Sequence, residues 1–167
     1  MSGLSVAVFG ATGAVGAEMR ALLERAPWNI GEFHAFTSVR SAGTELAFRG
    51  RTVVCREVSA AQLEGLDLVL ASAGATASRE WSPRFAAAGA VVVDNSSAFR
   101  REPECPLVIP EVNPHHLTPE SRIIAVPNCS TIQMIAALAP LHRAWRLAGI
   151  RVATYQSASG AGAAGMQ

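Results

Sequence analysis

The chain contains no lysine; all fourteen of its basic residues are arginine. Schiff-base chemistry on an amine and a Walker-type phosphate lysine are therefore excluded by inventory. Charge is scarce as well, at 16% of residues and a net +1. This leaves no basic footprint for nucleic acid and no polybasic membrane patch. Cysteine is limited to Cys55, Cys105 and Cys129, odd in number, widely spaced and without a C-x-x-C pair. That usage favours reduced thiols in a cytoplasmic setting over a disulfide framework or a zinc site. No apolar run approaches the roughly 20 residues that span a bilayer. The apolar start "MSGLSVAVFG" lacks a basic flank, since the first arginine is Arg20, and reads as a strand rather than a signal peptide.

What remains is a hydrophobic chain of 167 residues, half of them apolar. That suits one ordinary domain with the beginning of a second and excludes a disordered or coiled-coil class. Apolar runs alternate with helical patterns. Strands are expected at 4–10, 32–38, 51–58, 66–73, 90–96 and 122–126. Helices are expected at 14–26, at 75–89 and from Cys129 onward, with a short helical turn after residue 58. Residues 97–121, broken by five prolines, read as loop. Continuous apolar strands in β-α-β alternation predict a Rossmann-like doubly wound parallel sheet. Beyond Ile150 the pattern changes, and 150–159 alternates like a strand of an antiparallel sheet. The expected division is a nucleotide-binding domain over 1–128, then a nucleophile helix and the start of an incomplete α+β domain over 129–167.

Three stretches carry chemistry. "FGATGAVGAE" (9–18) places Gly10, Gly13 and Gly16 between the first strand and the first helix. Glycines there let the backbone approach a diphosphate, whose charge rests on the helix N-terminus. The second strand ends in "TSVRSAG" (37–43) with no carboxylate before Glu45. An acidic residue would suit the ribose hydroxyls of NAD; Arg40, supported by Ser38 and Ser41, suits the 2′-phosphate of NADP. "VPNCSTIQ" (126–133) sets Cys129 at a helix start, where unsatisfied N–H groups favour thiolate over thiol and make a nucleophile. A small buried cysteine fits the same position, and its chemistry alone does not choose between the two. Arg100, in "VVVDNSSAFRRE" (91–102), could clamp a phosphate or carboxylate. Gln156 offers an amide on the last strand. His115, His116 and His142 have no carboxylate or cysteine at ligand spacing, so no metal site is expected.

In this order the segments "GATGAVG" (10–16), "RSAG" (40–43), "VVDNSSAFR" (92–100), "IPEVN" (109–113), "PNCSTIQ" (127–133) and "YQSASGAG" (155–162) resemble the aspartate-β-semialdehyde dehydrogenase family. The resemblance spans almost the whole chain. It implies an NADP-binding domain joined to a catalytic and dimerisation domain. The implied activity interconverts aspartyl phosphate and aspartate semialdehyde, on the route to lysine, methionine and threonine. By the resemblance Cys129 is the nucleophile, Arg100 binds phosphate and Gln156 contacts substrate. Gly10, Thr12, Gly13, Ala14, Val15, Arg40 and Ser41 would contact NADP, with Ser159 and Gly160 on the nicotinamide side. It also implies a homodimer, small-molecule substrates, and neither nucleic-acid nor membrane partners.

Two departures stand out. Val126 occupies a position where the family commonly has asparagine. The family chain is also about twice as long, and the remainder carries its histidine acid/base and most of its dimer interface. Proton transfer contributes about 10²–10⁴-fold to rate, so poor activity is expected of this chain alone. The related acyl-phosphate reductase for N-acetylglutamyl phosphate has a "GCYPT"-like cysteine motif, unlike "PNCST". A non-catalytic NADP-binding fragment, or an incomplete piece of a normal enzyme, is the alternative.

Overall fold

The computed structural model describes residues 3–59 and 63–155. Gln156, Ser159 and Gly160 lie outside that set, as does part of the helical turn expected after residue 58. Six strands form one sheet: β1 (Leu4–Phe9), β2 (Ile30–Thr37), β5 (Arg56–Glu57), β6 (Leu68–Ala71), β7 (Val91–Asp94) and β8 (Ile123–Ala125). Their order is β5-β2-β1-β6-β7-β8, and every pairing is parallel. The chain winds outward from β1 in one direction through β2 and β5, then in the other through β6, β7 and β8. This is the doubly wound arrangement, whose ligand crevice lies where the winding reverses.

The alternation along β1 shows why its run of apolar residues is continuous. Val6 and Val8 enter a core with Leu23 of α1 (Ala14–Arg25) and Ala35, while Ala7 and Phe9 enter a second core on the opposite face. Phe85 of α2 (Ala75–Ala87) meets Phe9 edge-on there, with ring centroids 5.7 Å apart. Both faces are therefore covered, and no strand position in the sheet centre can be polar without a partner. Asp94, fully buried, obeys that rule: its carboxylate accepts from Ser82 Oγ at 2.9 Å and from the Ser96 backbone N–H at 2.7 Å.

The strand expected over 51–58 is two strands, and the preceding loop holds another. β3 (Glu45–Phe48) and β4 (Arg51–Val54) form an antiparallel hairpin, and β5 then joins the main sheet. The hairpin is closed by Arg49 and Gly50, with φ of 48° and 74°. A two-residue connection with positive φ at both positions matches strand twist. Arg49 is held in that conformation by its guanidinium, which donates to the carbonyls of Leu23, Ala26 and Trp28 at 2.7–2.9 Å. The same side chain thus fixes the hairpin turn and satisfies the carbonyls at the end of α1.

The strand expected at 150–159 is not formed over its described part: Ile150–Tyr155 carry no regular structure. Its alternation had no neighbouring strand to pair with among the described residues, and a lone strand leaves its backbone groups to water. α3 (Cys129–Trp145) ends just before, at Arg146 in the left-handed conformation with φ 57°. Unlike α1 and α2, α3 has no buried residue.

Candidate dinucleotide cleft and nucleophile

At the carboxyl ends of β1, β2, β5, β6 and β7 lies a cleft of about 1040 Å³. Gly10, Thr12, Gly13, Ala14 and Val15 all line it. Gly10 has φ 93°, and a Cβ there would lie 2.8 Å from the Ser72 backbone, so only glycine lets β1 and β6 close the crevice floor. A Cβ on Gly16 would drive into the Gly10 carbonyl oxygen. These two positions fix the tight turn and bring α1 against the strand. The start of α1 is bare: Gly13 supplies no side-chain cap, and no acidic residue stands in the first turn. Its unsatisfied N–H groups and positive helix end suit an anion in the cleft. The donor set and the glycine cradle thus fit a dinucleotide diphosphate.

Arg40 and Ser41 sit in the 3-10 turn Val39–Ser41 that follows β2. Ser38 and Val39 line the cleft, whereas Arg40 and Ser41 stand just beyond it. Among the described residues Arg40 has no hydrogen bond or ion pair. The cleft also brings in residues that sequence reasoning missed. Ser72–Ala75 close it from the end of β6, and the run of small residues "ASAGA" at that strand end was the available signal. Glu57 lines it from β5, directly opposite Thr37 in register, and its strand packs against the turn of Arg40. Trp81 lines it from α2, with the Arg84 guanidinium 4.6 Å from its ring. No short-range pattern announces either residue, because both arrive from separate elements.

Cys129 begins α3 and is exposed, which removes the reading of a small buried cysteine. Asn128 caps the helix: its Oδ1 accepts from the Ser130 backbone N–H at 3.1 Å and from Ser130 Oγ at 2.6 Å. The "PNCS" order therefore has a physical reason, since the asparagine starts the helix and leaves the next side chain at its positive end. Cys55 and Cys105 are the opposite case. Burial pushes both thiols up, and Glu104, Glu102 and Asp94 push Cys105 further. Both are held in the unreactive protonated form.

Arg100 is half-buried, lines the cleft and makes no ion pair among the described residues. Its Nε–H donates to the Val126 carbonyl at 2.8 Å and its Nη2 to the Asn95 carbonyl at 3.1 Å. It thereby joins the end of β7 to the segment leading into Cys129. Cys129 itself stands outside the cleft lining. Among the described residues no cluster of three or more His, Cys, Asp or Glu side chains could hold a metal ion, and no helix is long and apolar enough to cross a membrane.

Strand order, glycine turn and bare helix start together define a Rossmann-type dinucleotide-binding domain. A family model described as semialdehyde dehydrogenase, NAD binding domain, matches residues 5–119, and the chain belongs to that family. It is 49% identical over 166 residues to an aspartate-semialdehyde dehydrogenase of Synechocystis sp., covering 99% of this chain and 49% of that protein. To the Bacillus subtilis enzyme of the same name it is 47% identical over 160 residues, covering 96% and 46%. Among solved structures, aspartate semialdehyde dehydrogenase II from Vibrio cholerae, complexed with ASA, matches with a TM-score of 0.92 at 44% identity, over 99% of this chain and 50% of that one. The Candida albicans enzyme with NADP matches with a TM-score of 0.71 at 28% identity, over 87% and 48%. The chain spans about half the length of the curated relatives it matches.

Proposed function

We propose that this chain is the NADP-binding and nucleophile-bearing part of an aspartate-semialdehyde dehydrogenase, acting in the cytoplasm on small molecules. The observation that carries the reading is an exposed Cys129 at a capped helix start, tied through Arg100 to a dinucleotide-sized cleft. The glycine turn and bare α1 start would hold the diphosphate, and Arg40 with Ser41 the 2′-phosphate. NADPH, when bound, supplies the hydride. Cys129 does the covalent work. Its thiolate attacks the acyl carbon of aspartyl phosphate, a C–S bond forms, and the C–O bond to phosphate breaks with phosphate leaving. The acyl group is then held as a thioester, a better hydride acceptor than a carboxylate. After reduction the C–S bond breaks, returning the thiolate and releasing the aldehyde. Arg100 would meet the phosphate. Gln156 would hold substrate, and Ser159 and Gly160 would close on the nicotinamide side. The resemblance supports these last three roles, as it does a homodimer and a domain division at residues 128 and 129.

A second reading has its own support. α3 carries the nucleophile yet buries none of its residues among the described part of the chain, and the alternative reading is a non-catalytic NADP-binding fragment of the same family. Phosphate-dependent formation of NADPH from aspartate semialdehyde separates the two. Turnover well above a Cys129→Ala control establishes the first, and turnover equal to that control leaves a cofactor-binding fragment.

A further inference from the structure

The geometry points to Arg100 as a strut that positions the approach to Cys129, leaving one edge of its guanidinium for an oxyanion. The second half of this assignment rests on the proposed function; the first does not. A guanidinium carries five N–H groups in a rigid planar fork. Its Nε–H is committed to the Val126 carbonyl and one Nη2–H to the Asn95 carbonyl. Both acceptors are backbone atoms, so no substitution of a neighbouring side chain releases them. The Nε–H and one of the two N–H groups on Nη2 are therefore occupied. Two N–H groups on Nη1 and the second on Nη2 remain. An oxyanion in the cleft would be met end-on, through Nη1 and Nη2, by a cation that no carboxylate neutralises among the described residues.

The peptide that Arg100 grips is held twice. The Val126 N–H donates to the Asp94 carbonyl at 2.9 Å while its own carbonyl accepts from Arg100. Asp94 is in turn fixed by Ser82 of α2 and by the Ser96 N–H. Only two residues, Pro127 and the capping Asn128, separate Val126 from Cys129. The approach to the nucleophile's helix start is thus set from β7 through the Val126 peptide, which the Asp94 carbonyl and the Arg100 guanidinium hold from its two ends. This explains how valine serves at position 126: the clamp uses the peptide and not the side chain. Anion binding and the order of this segment share one guanidinium, so each shifts the other by the same factor.

The test is amide hydrogen exchange on the purified chain, followed by NMR, in wild type, Arg100→Lys and Arg100→Met. Lysine keeps the charge but cannot bridge two carbonyls and still present a fork. Both variants are expected to speed exchange at Val126 and Ser130 by about tenfold or more, with Val69 in the sheet centre unchanged. Wild-type rates at Val126 in both variants overturn the strut. Loss of protection at Val69 in both also overturns it, because Arg100 would then hold the whole sheet. Titration with inorganic phosphate forms the second arm. In wild type it is expected to slow exchange at Val126 further, and in Arg100→Met to do nothing. If phosphate leaves wild type unchanged, the oxyanion edge is wrong, and with it the phosphate role of Arg100, while the strut is judged by the first arm alone.

Discussion

α2 and α3 invert the usual expectation of an amphipathic helix. α2, "ATASREWSPRFAA", contains three charged residues and yet buries Ser78, Ser82 and Phe85. α3, "CSTIQMIAALAPLHRAW", is the more apolar of the two and buries nothing; Trp145 near its end is 74% exposed. The difference lies in what each helix faces. α2 lies across β6 and β7, which offer Val69, Ala71 and Val92 as a ready floor. α3 is tied to the rest of the described structure by the Arg100 clamp at one end and by Arg143, which donates to the Glu111 and Val112 carbonyls, at the other. Burial is thus a property of the surroundings, and apolar content only makes it possible.

The largest effect that would break this comparison is a cavity. Phe85→Ala should cost about 3–5 kcal/mol in urea or thermal unfolding, whereas Ile135→Ala on α3 should change stability by less than about 0.5 kcal/mol. Equal costs would show that α3 is packed as α2 is. Next comes the cleft, which belongs to the well-buried side of the molecule. The chain should bind NADP⁺ by calorimetry, and Arg40→Ala should weaken that binding about tenfold to hundredfold while leaving NAD⁺ affinity nearly unchanged. An equal loss for both cofactors would remove Arg40 from the 2′-phosphate.

A further outcome compares thiols. Brief iodoacetamide treatment at neutral pH should add one alkyl group, at Cys129, by peptide mass analysis, while Cys55 and Cys105 stay unmodified. Adducts at the buried pair would mean that the sheet side opens as readily as α3. The smallest effect is on pH dependence. Cys55 and Cys105 have folded-state pKa values raised above the ordinary thiol range by burial. A raised value contributes stability that is fully present below the unfolded pKa and is lost as pH rises through the folded one. Stability should therefore fall on the alkaline side of the thiol range, and Cys55→Ala with Cys105→Ala should flatten that fall, as read by melting temperature across pH. An unchanged slope would assign it to other groups.

Much of the parallel sheet was legible because strands buried on both faces must be apolar throughout, and the turns between strand and helix must be small. The turn at Gly10–Val15 was legible for the same reason, since a diphosphate needs bare N–H groups and no side chain. The hairpin at 45–54 was not. Its turn residues, Arg49 and Gly50, signal weakly, and Arg49 tolerates positive φ through carbonyls of a helix more than twenty residues away. Glu57 and Trp81 were not legible either, because each reaches the cleft from an element distant in sequence.

By itself the sequence determined the alternation of strand and helix, the glycine turn after β1 and the helix start at Cys129. Each follows from local sterics, hydrogen-bond demand and the period of apolar residues, which neighbouring residues settle among themselves. Only the tertiary structure decided that Cys129 is exposed, that an apolar α3 packs against no core among the described residues, and that Arg100 spends two of its N–H groups on Asn95 and Val126. Those outcomes depend on which surfaces and carbonyls meet across 5 or 26 residues of separation, and that meeting is fixed by packing of the whole sheet rather than by any stretch of the chain.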